Sequence, residues 1–459
     1  MSGLGFGSLA LQFLQHNERL EAAESTGRLS TRLPHSEPQA KAVIMMMQTG
    51  GVSQMDVLDP KPELTRLNGK QYSIKLEVQQ MGSESNTLLA SHKKFSKHGQ
   101  CGMEISEVLP NMARLADDLC LVRSMHTEHN NHTEGQVMLM TGRIFEGRPS
   151  MGSWISYALG TENQNLPAYV VLRDIGSEHA AALWREGWMP ASYRGTEFRS
   201  QGTPILNLHS AKEQADGVQR SNLELLSMLN RTHQKKYPAD QRLETRIQNY
   251  ELAARMQLEA LRLMDTSNES QLVEKLYGLD HPTTRTFGLS CLLARKLVEA
   301  GVRFVLMFPP KDLGWDTHGS FERGDKVSAA TDLPTAGLIQ DLKQRGLLDS
   351  TIIFWSGEFG RLPISQSARG RDHNRHACSL LLSGGGFKPG HVYGATDEVG
   401  NRAVENRVSV PDLHATILHQ LGLDHDRVTY NHSGRDETLT DSVVTGAKVI
   451  RDILNRPVV

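Results

Sequence analysis

The chain has 459 residues, enough for one large α/β domain or two ordinary ones. Its 38% hydrophobic and 22% charged content is that of a globular protein and allows a sizeable core. A formal net charge of -2 gives no electrostatic footprint for nucleic acid, and no apolar run reaches the roughly 20 residues that a membrane span needs. Cys101, Cys120, Cys291 and Cys378 lie far apart with no C-x-x-C pair, so they read as buried thiols or at most one incidental bridge.

Residues 3–14 (GLGFGSLALQFL) are weakly apolar and Gly-rich, and a polar, charged stretch follows to residue 39. That is how the second half of a secretory signal reads, without its basic front. In exported proteins of the twin-arginine class an Arg-Arg pair precedes such a stretch. Residues 1–40 are therefore expected to be the remnant of an export signal with its linker, and the protein to be exported to the periplasm or beyond the cell. A disordered or weakly helical tail is the plainer alternative.

The run at 42–47 (AVIMMM) is continuously apolar and closes on Gly50 and Gly51, which predicts a strand buried on both faces. Similar runs at 118–124, 169–172, 303–308, 351–355 and 379–382 alternate with helical patterns, so the expected fold is α/β with a mostly parallel central sheet flanked by helices. Ligands of such sheets gather beyond the carboxyl ends of the strands. Residues 206–283, most clearly 241–264, are charged and helix-favouring and read as a helical insertion into a main domain spanning 41–459. An amphipathic helix at 284–300 then ends at Gly301 and feeds the strand at 303–308.

Acid and imidazole groups recur at consecutive strand exits. Asp316 and His318 follow the run at 303–308, Glu358 and Arg361 follow that at 351–355, and Arg371, Asp372 and His373 precede that at 379–382. Each group alone could cap a helix or sit in a solvated turn; together they point to a shared site that could hold a divalent ion. Earlier, His126, His129 and His132 in HTEHNNHTEG lead into a helix expected at 133–141, whose free amides suit phosphate or sulfate. A polar loop in which Asn131 or Thr133 caps that helix is the alternative.

The segment HTEGQVMLMTGR (132–143) resembles the sulfatase signature in which a Cys or Ser, converted to formylglycine, precedes a helix ending in L-T-G-R. His132 falls on the modified position. Asp372-His373, followed by 380–386 and 408–422, is similar to the closing portion of alkaline phosphatases, where a His ligates metal, and Asp316 and His318 fall near the Asp and His that complete that site. From 41 to the C-terminus the chain resembles the DUF1501 family of exported bacterial proteins of this superfamily. The carrying phrases are GGVSQMD (50–56), DPKP (59–62), NNH (130–132), GRPSMGSW (147–154), GWDTH (314–318), GEFGR (357–361) and GRDH (370–373).

The resemblance implies an alkaline phosphatase-like fold and a metal-dependent hydrolase of phosphate or sulfate esters. Asp316, His318 and His373 would hold zinc or manganese, with Glu358 and Asp372 as further ligands or orienters. His132 or Thr133 would be the nucleophile or would position a water. Arg361 and Arg371 would pair the anionic group of a small-molecule or glycan substrate. The missing formylglycine precursor and two further departures favour the rival expectation, a non-catalytic exported anion- or glycan-binding protein. Gln48 or Thr49 stands where the superfamily has Asp, and Glu358-Phe359 stands where it has Asp-His.

Overall fold

A computed structural model describes residues 31–79, 81–173, 181–199, 218–236, 247 and 251–455, apart from 254, 257, 258, 261 and 368. The expected signal segment at 3–14 lies outside the described residues. The chain forms β1 (Ala42–Met47), β2 (Leu119–His126), β3 (Tyr169–Leu172), β4 (Thr196–Phe198), β5 (Phe304–Met307), β6 (Thr351–Ser356), β7 (Gly360–Arg361), β8 (His373–Asn374), β9 (Cys378–Ser383), β10 (His391–Tyr393) and β11 (Val408–Ser409). The longer helices are α1 (His132–Thr141), α2 (Met151–Leu159), α3 (Val218–Lys236), α4 (Pro282–Glu299), α5 (Glu322–Gln344) and α6 (Val410–Gln420).

The central sheet has the order β10-β2-β9-β6-β1-β5-β3-β4, with β11 also pairing β2. Every pairing in it is parallel except those of β9, which runs antiparallel to both β2 and β6. The fold is thus α/β around a mostly parallel mixed sheet. β1 shows why its sequence is apolar throughout. Val43, Met45 and Met47 enter one core with Trp154 of α2 and Leu413 of α6, while Ile44 and Met46 enter the other with Phe287 of α4 and Leu338 of α5. Each such side chain contributes about 1.5–3 kcal/mol by burial, so a polar residue on either face of β1 would forfeit that and add a desolvation cost.

Local signals set the helix ends. α6 opens with a capping box between Ser409 and Asp412, and α4 opens on Pro282. Gly301 follows α4 with φ +91°, the left-handed conformation that lets the chain turn into β5. Within the expected insertion the described residues are helical at Val218–Lys236, through much of 251–264 and at Gln271–Leu276, and Met256, Ala260 and Leu263 are buried beside the α4 and α5 core. Among the described residues no helix is long and apolar enough to cross a membrane. Cys120, Cys291 and Cys378 are buried free thiols, whereas Cys101 is free but exposed.

Candidate metal centre

The carboxyl ends of β1, β5 and β6 open onto one cluster. Asp316 and His318 come from the loop after β5, His373 from β8, and His132 from the first residue of α1. One ligand-type atom from each of these four residues lies within 4.8 Å of every other. The Nε2 atoms of His318, His132 and His373 stand 2.9, 3.4 and 3.4 Å from Asp316 Oδ1.

The other nitrogen of each ring is already engaged. His132 Nδ1 is 2.6 Å from Glu358 Oε1, His318 Nδ1 is 2.6 Å from Gln366 Oε1, and His373 Nδ1 is 2.6 Å from the Asn130 carbonyl. All three partners are acceptors, so each Nδ1 carries a proton, and in the neutral ring the Nε2 lone pair is turned inward. This is how metal-binding imidazoles are oriented from outside. The donor set passes a simple fit test for zinc. Tetrahedral ligands at about 2.0–2.1 Å from an ion stand roughly 3.3 Å apart, close to the 2.9–3.4 Å that separate Asp316 Oδ1 from the three rings. His132 Nε2 is buried and makes no well-formed hydrogen bond, its nearest acceptor being Asp316 Oδ1 at the long distance of 3.4 Å, so an ion would satisfy it better than the protein does.

Glu358 is fully buried and also accepts from the Gly50 amide at 3.0 and 3.2 Å and from Gln136 at 3.3 Å. Gly50 has φ +105°, and a Cβ there would stand 2.4 Å from the Asp316 amide nitrogen, so the end of β1 must be glycine for the β5 loop to pass this close. Phe359 forms an apolar floor, its ring centroid 5.1 Å from that of His132 and 4.6 Å from that of His373.

The charges are mutually dependent. Burial would push the Asp316 carboxyl up, but hydrogen bonds from His132, His318 and His373 and the charge of Arg361 outweigh it and hold it far below the usual carboxylate range. Burial likewise opposes a charge on His132, yet hydrogen bonds to Asp316 and Glu358 raise it to about 9 in the metal-free cluster. His373 is pushed down, chiefly by burial.

The geometry narrows the expected roles. Glu358 touches His132 on its outward nitrogen and acts as an orienter. Asp372 is buried outside the four-residue cluster, accepting from the amides of His373 at 2.7 Å and Gln79 at 2.6 Å. Arg361 is fully buried and spends its guanidinium on the Gly51 and Arg371 carbonyls, each at 2.9 Å, on the Gly50 carbonyl and on Asp316 at 2.6 Å. Arg371 is fully buried too, forked onto Asp56 at 2.8 and 3.2 Å. Both arginines are buried and hydrogen-bonded within the protein, so neither is free at the surface to pair an anionic group. His132 joins the ligand cluster itself. Gln366 and the Asn130 carbonyl escaped the sequence reading; Asn130 lay within the quoted NNH phrase, whereas Gln366 stood in no motif at all.

A family model covering residues 40–454 matches this chain. The chain belongs to the DUF1501 family, described as "Protein of unknown function (DUF1501)". No curated protein matches it. Among solved structures the DUF1501 chain is similar to the PsFucS1 sulfatase from Pseudoalteromonas sp., at 14% identity and TM-score 0.38 over 95% of this chain and 75% of that one. It is also similar to the C-terminal periplasmic domain of EcEptC from Escherichia coli in complex with Zn, at 10% identity and TM-score 0.37 over 93% and 99%. A protein in the alkaline phosphatase superfamily from Vibrio parahaemolyticus matches at 10% identity and TM-score 0.34 over 87% and 71%.

Proposed function

We propose that this DUF1501 protein is a metal-dependent hydrolase of phosphate or sulfate esters, exported from the cell. The observation that carries the proposal is the convergence of three imidazole Nε2 atoms on the Asp316 carboxylate, with every Nδ1 committed elsewhere. Three nitrogens and one oxygen suit zinc better than manganese, and both better than calcium. When bound, such an ion supplies Lewis acidity toward an ester oxygen.

The side chains of His132, Asp316 and His318 are 30, 29 and 23% exposed, so the cluster opens to solvent as a substrate site must and a closed structural site does not. α1 begins at the cluster, and its Asn131 cap makes no side-chain hydrogen bond, leaving first-turn amides for an anion. Thr133, next to His132 in that turn, offers the hydroxyl for attack. Glu358, Gln366 and the Asn130 carbonyl fix the three rings, which limits reorganisation when an ester binds.

The test begins with zinc content and turnover of 4-nitrophenyl phosphate and 4-nitrophenyl sulfate. One zinc per chain, lost in His373→Ala, and hydrolysis that a chelator stops and Thr133→Ala abolishes without loss of zinc are the expected results. Zinc binding with no turnover of either ester would leave the anion-binding reading in its place. Absence of both bound metal and turnover would likewise leave only the anion-binding reading. Export is tested separately, by fractionating the native cells.

A further inference from the structure

Next to the cluster lies a second cavity of about 200 Å³, and the two share a wall, since His373 and Asn130 line it and the Asn130 carbonyl accepts the His373 Nδ1 proton. We propose that this cavity is a subsite for a second anionic group on a hydroxyl-bearing substrate, so that the preferred ester is a sugar carrying more than one sulfate or phosphate. The proposal rests on the hydrolase reading for the first anion and adds the second.

Three features of the lining support it. Lys75, Arg375 and Arg402 face a single carboxylate, Glu77, although the whole chain has a formal net charge of -2. That local excess agrees with His376, another lining residue, which burial and then Arg375, Arg402 and Arg407 push down. Arg375 is held in place from both ends, donating to the Glu128 carbonyl and to Glu77, each at 2.9 Å, while its Nε is buried without a partner. Asn401 is 1% exposed and its side-chain oxygen also has no partner. A buried carboxamide reads a hydroxyl group, and an idle guanidinium N–H reads an anionic oxygen. Both are left unmade by the protein alone, which is costly unless a ligand or water completes them. The volume is below the roughly 300–1,000 Å³ of pockets that enclose whole drug-sized ligands, so it holds one substituent or ring while the scissile ester lies over the cluster.

The test is calorimetric binding to the zinc-loaded protein. Fructose 1,6-bisphosphate is compared with fructose 6-phosphate, and a disulfated disaccharide with its monosulfated form. The second charge should tighten binding about tenfold at low salt, a gain of the size expected for a partly solvated charge pair. It should shrink to nearly nothing in the Lys75→Gln/Arg402→Gln variant, whose changes are on exposed residues and should leave zinc content and melting temperature unchanged. Equal affinity for singly and doubly charged ligands, or a gain that survives in that variant, would overturn the subsite. The larger of the phosphate and sulfate gains identifies which group the cavity takes. Preference for two charges without any hydrolysis would defeat the hydrolase reading while sparing the subsite. Turnover without the preference would do the reverse.

Discussion

Glu358→Gln tests the outward-pointing scaffold of the metal centre with a change of almost no volume. The glutamine oxygen can still accept from His132 Nδ1, but the carboxylate charge is gone. Its new NH₂ group takes the place of Oε2, which the Gly50 amide also approaches at 3.2 Å, so two donors would meet. His132 becomes less basic and less firmly held. Loss of such an outer partner lowers metal affinity by about 10–100-fold, roughly 1.4–2.7 kcal/mol. The assay is zinc affinity by chelator competition, with the thermal midpoint of the zinc-free protein as a control for folding. An unchanged affinity would refute the claim that Glu358 orients His132. A loss beyond about a thousandfold would instead make Glu358 a direct ligand and remove it from the supporting layer.

Two further outcomes concern stability. Asp56 and Arg371 form a buried pair, so Asp56→Ala should cost about 3–5 kcal/mol in urea unfolding by stranding the guanidinium, and Asp56→Leu/Arg371→Met should recover much of it. If Asp56→Ala unfolds like the wild type but loses substrate affinity, Arg371 belongs to the substrate site after all. His414, buried and donating to the Leu139 carbonyl at 2.8 Å, is pushed down to about 4, chiefly by burial, from an ordinary 6.5. The unfolded chain therefore binds the extra proton between those values. The stability of the neutral ring is complete above pH 6.5 and is lost as pH falls toward 4, by about 3 kcal/mol at most. His414→Gln should flatten that part of the pH profile of unfolding; an unchanged slope would exclude His414 as its source.

What the sequence discloses follows from where its signals are local. The central strands were legible because burial on both faces forces an unbroken apolar run, as in β1 and β6. The strands β4, β10 and β11 were not, since they have two or three residues each and partly exposed side chains leave no such pattern. Asp316, His318 and His373 were visible because carboxylates and imidazoles at successive strand exits share a sheet edge. The internal partners of Arg361 and Arg371 were not legible because they, the Gly50 and Gly51 carbonyls and Asp56, lie more than 300 positions away in sequence. An arginine looks the same in sequence whether it faces solvent or is already spent.

Glu358-Phe359, at the position where the sequence resemblance led to an expectation of Asp-His, has a physical consequence. A histidine at 359 would have offered a nitrogen beneath His132 and His373, where the phenyl ring instead packs against both imidazoles. A Cβ on Gly135 would stand 3.0 Å from that ring, so α1 is seated directly on it. The four donors above this floor would therefore hold a single ion. Asp316 and Glu358 against Arg361 and a protonated His132 leave the metal-free surroundings neutral, and a divalent cation that displaces the His132 proton turns that into one positive charge. That sign attracts an ester anion only when the metal is present. Anion binding should accordingly weaken when zinc is stripped, with inorganic phosphate as the probe. Undiminished phosphate affinity in the zinc-free protein would place anion recognition on the amides of α1 or on the neighbouring cationic cavity and not on the ion.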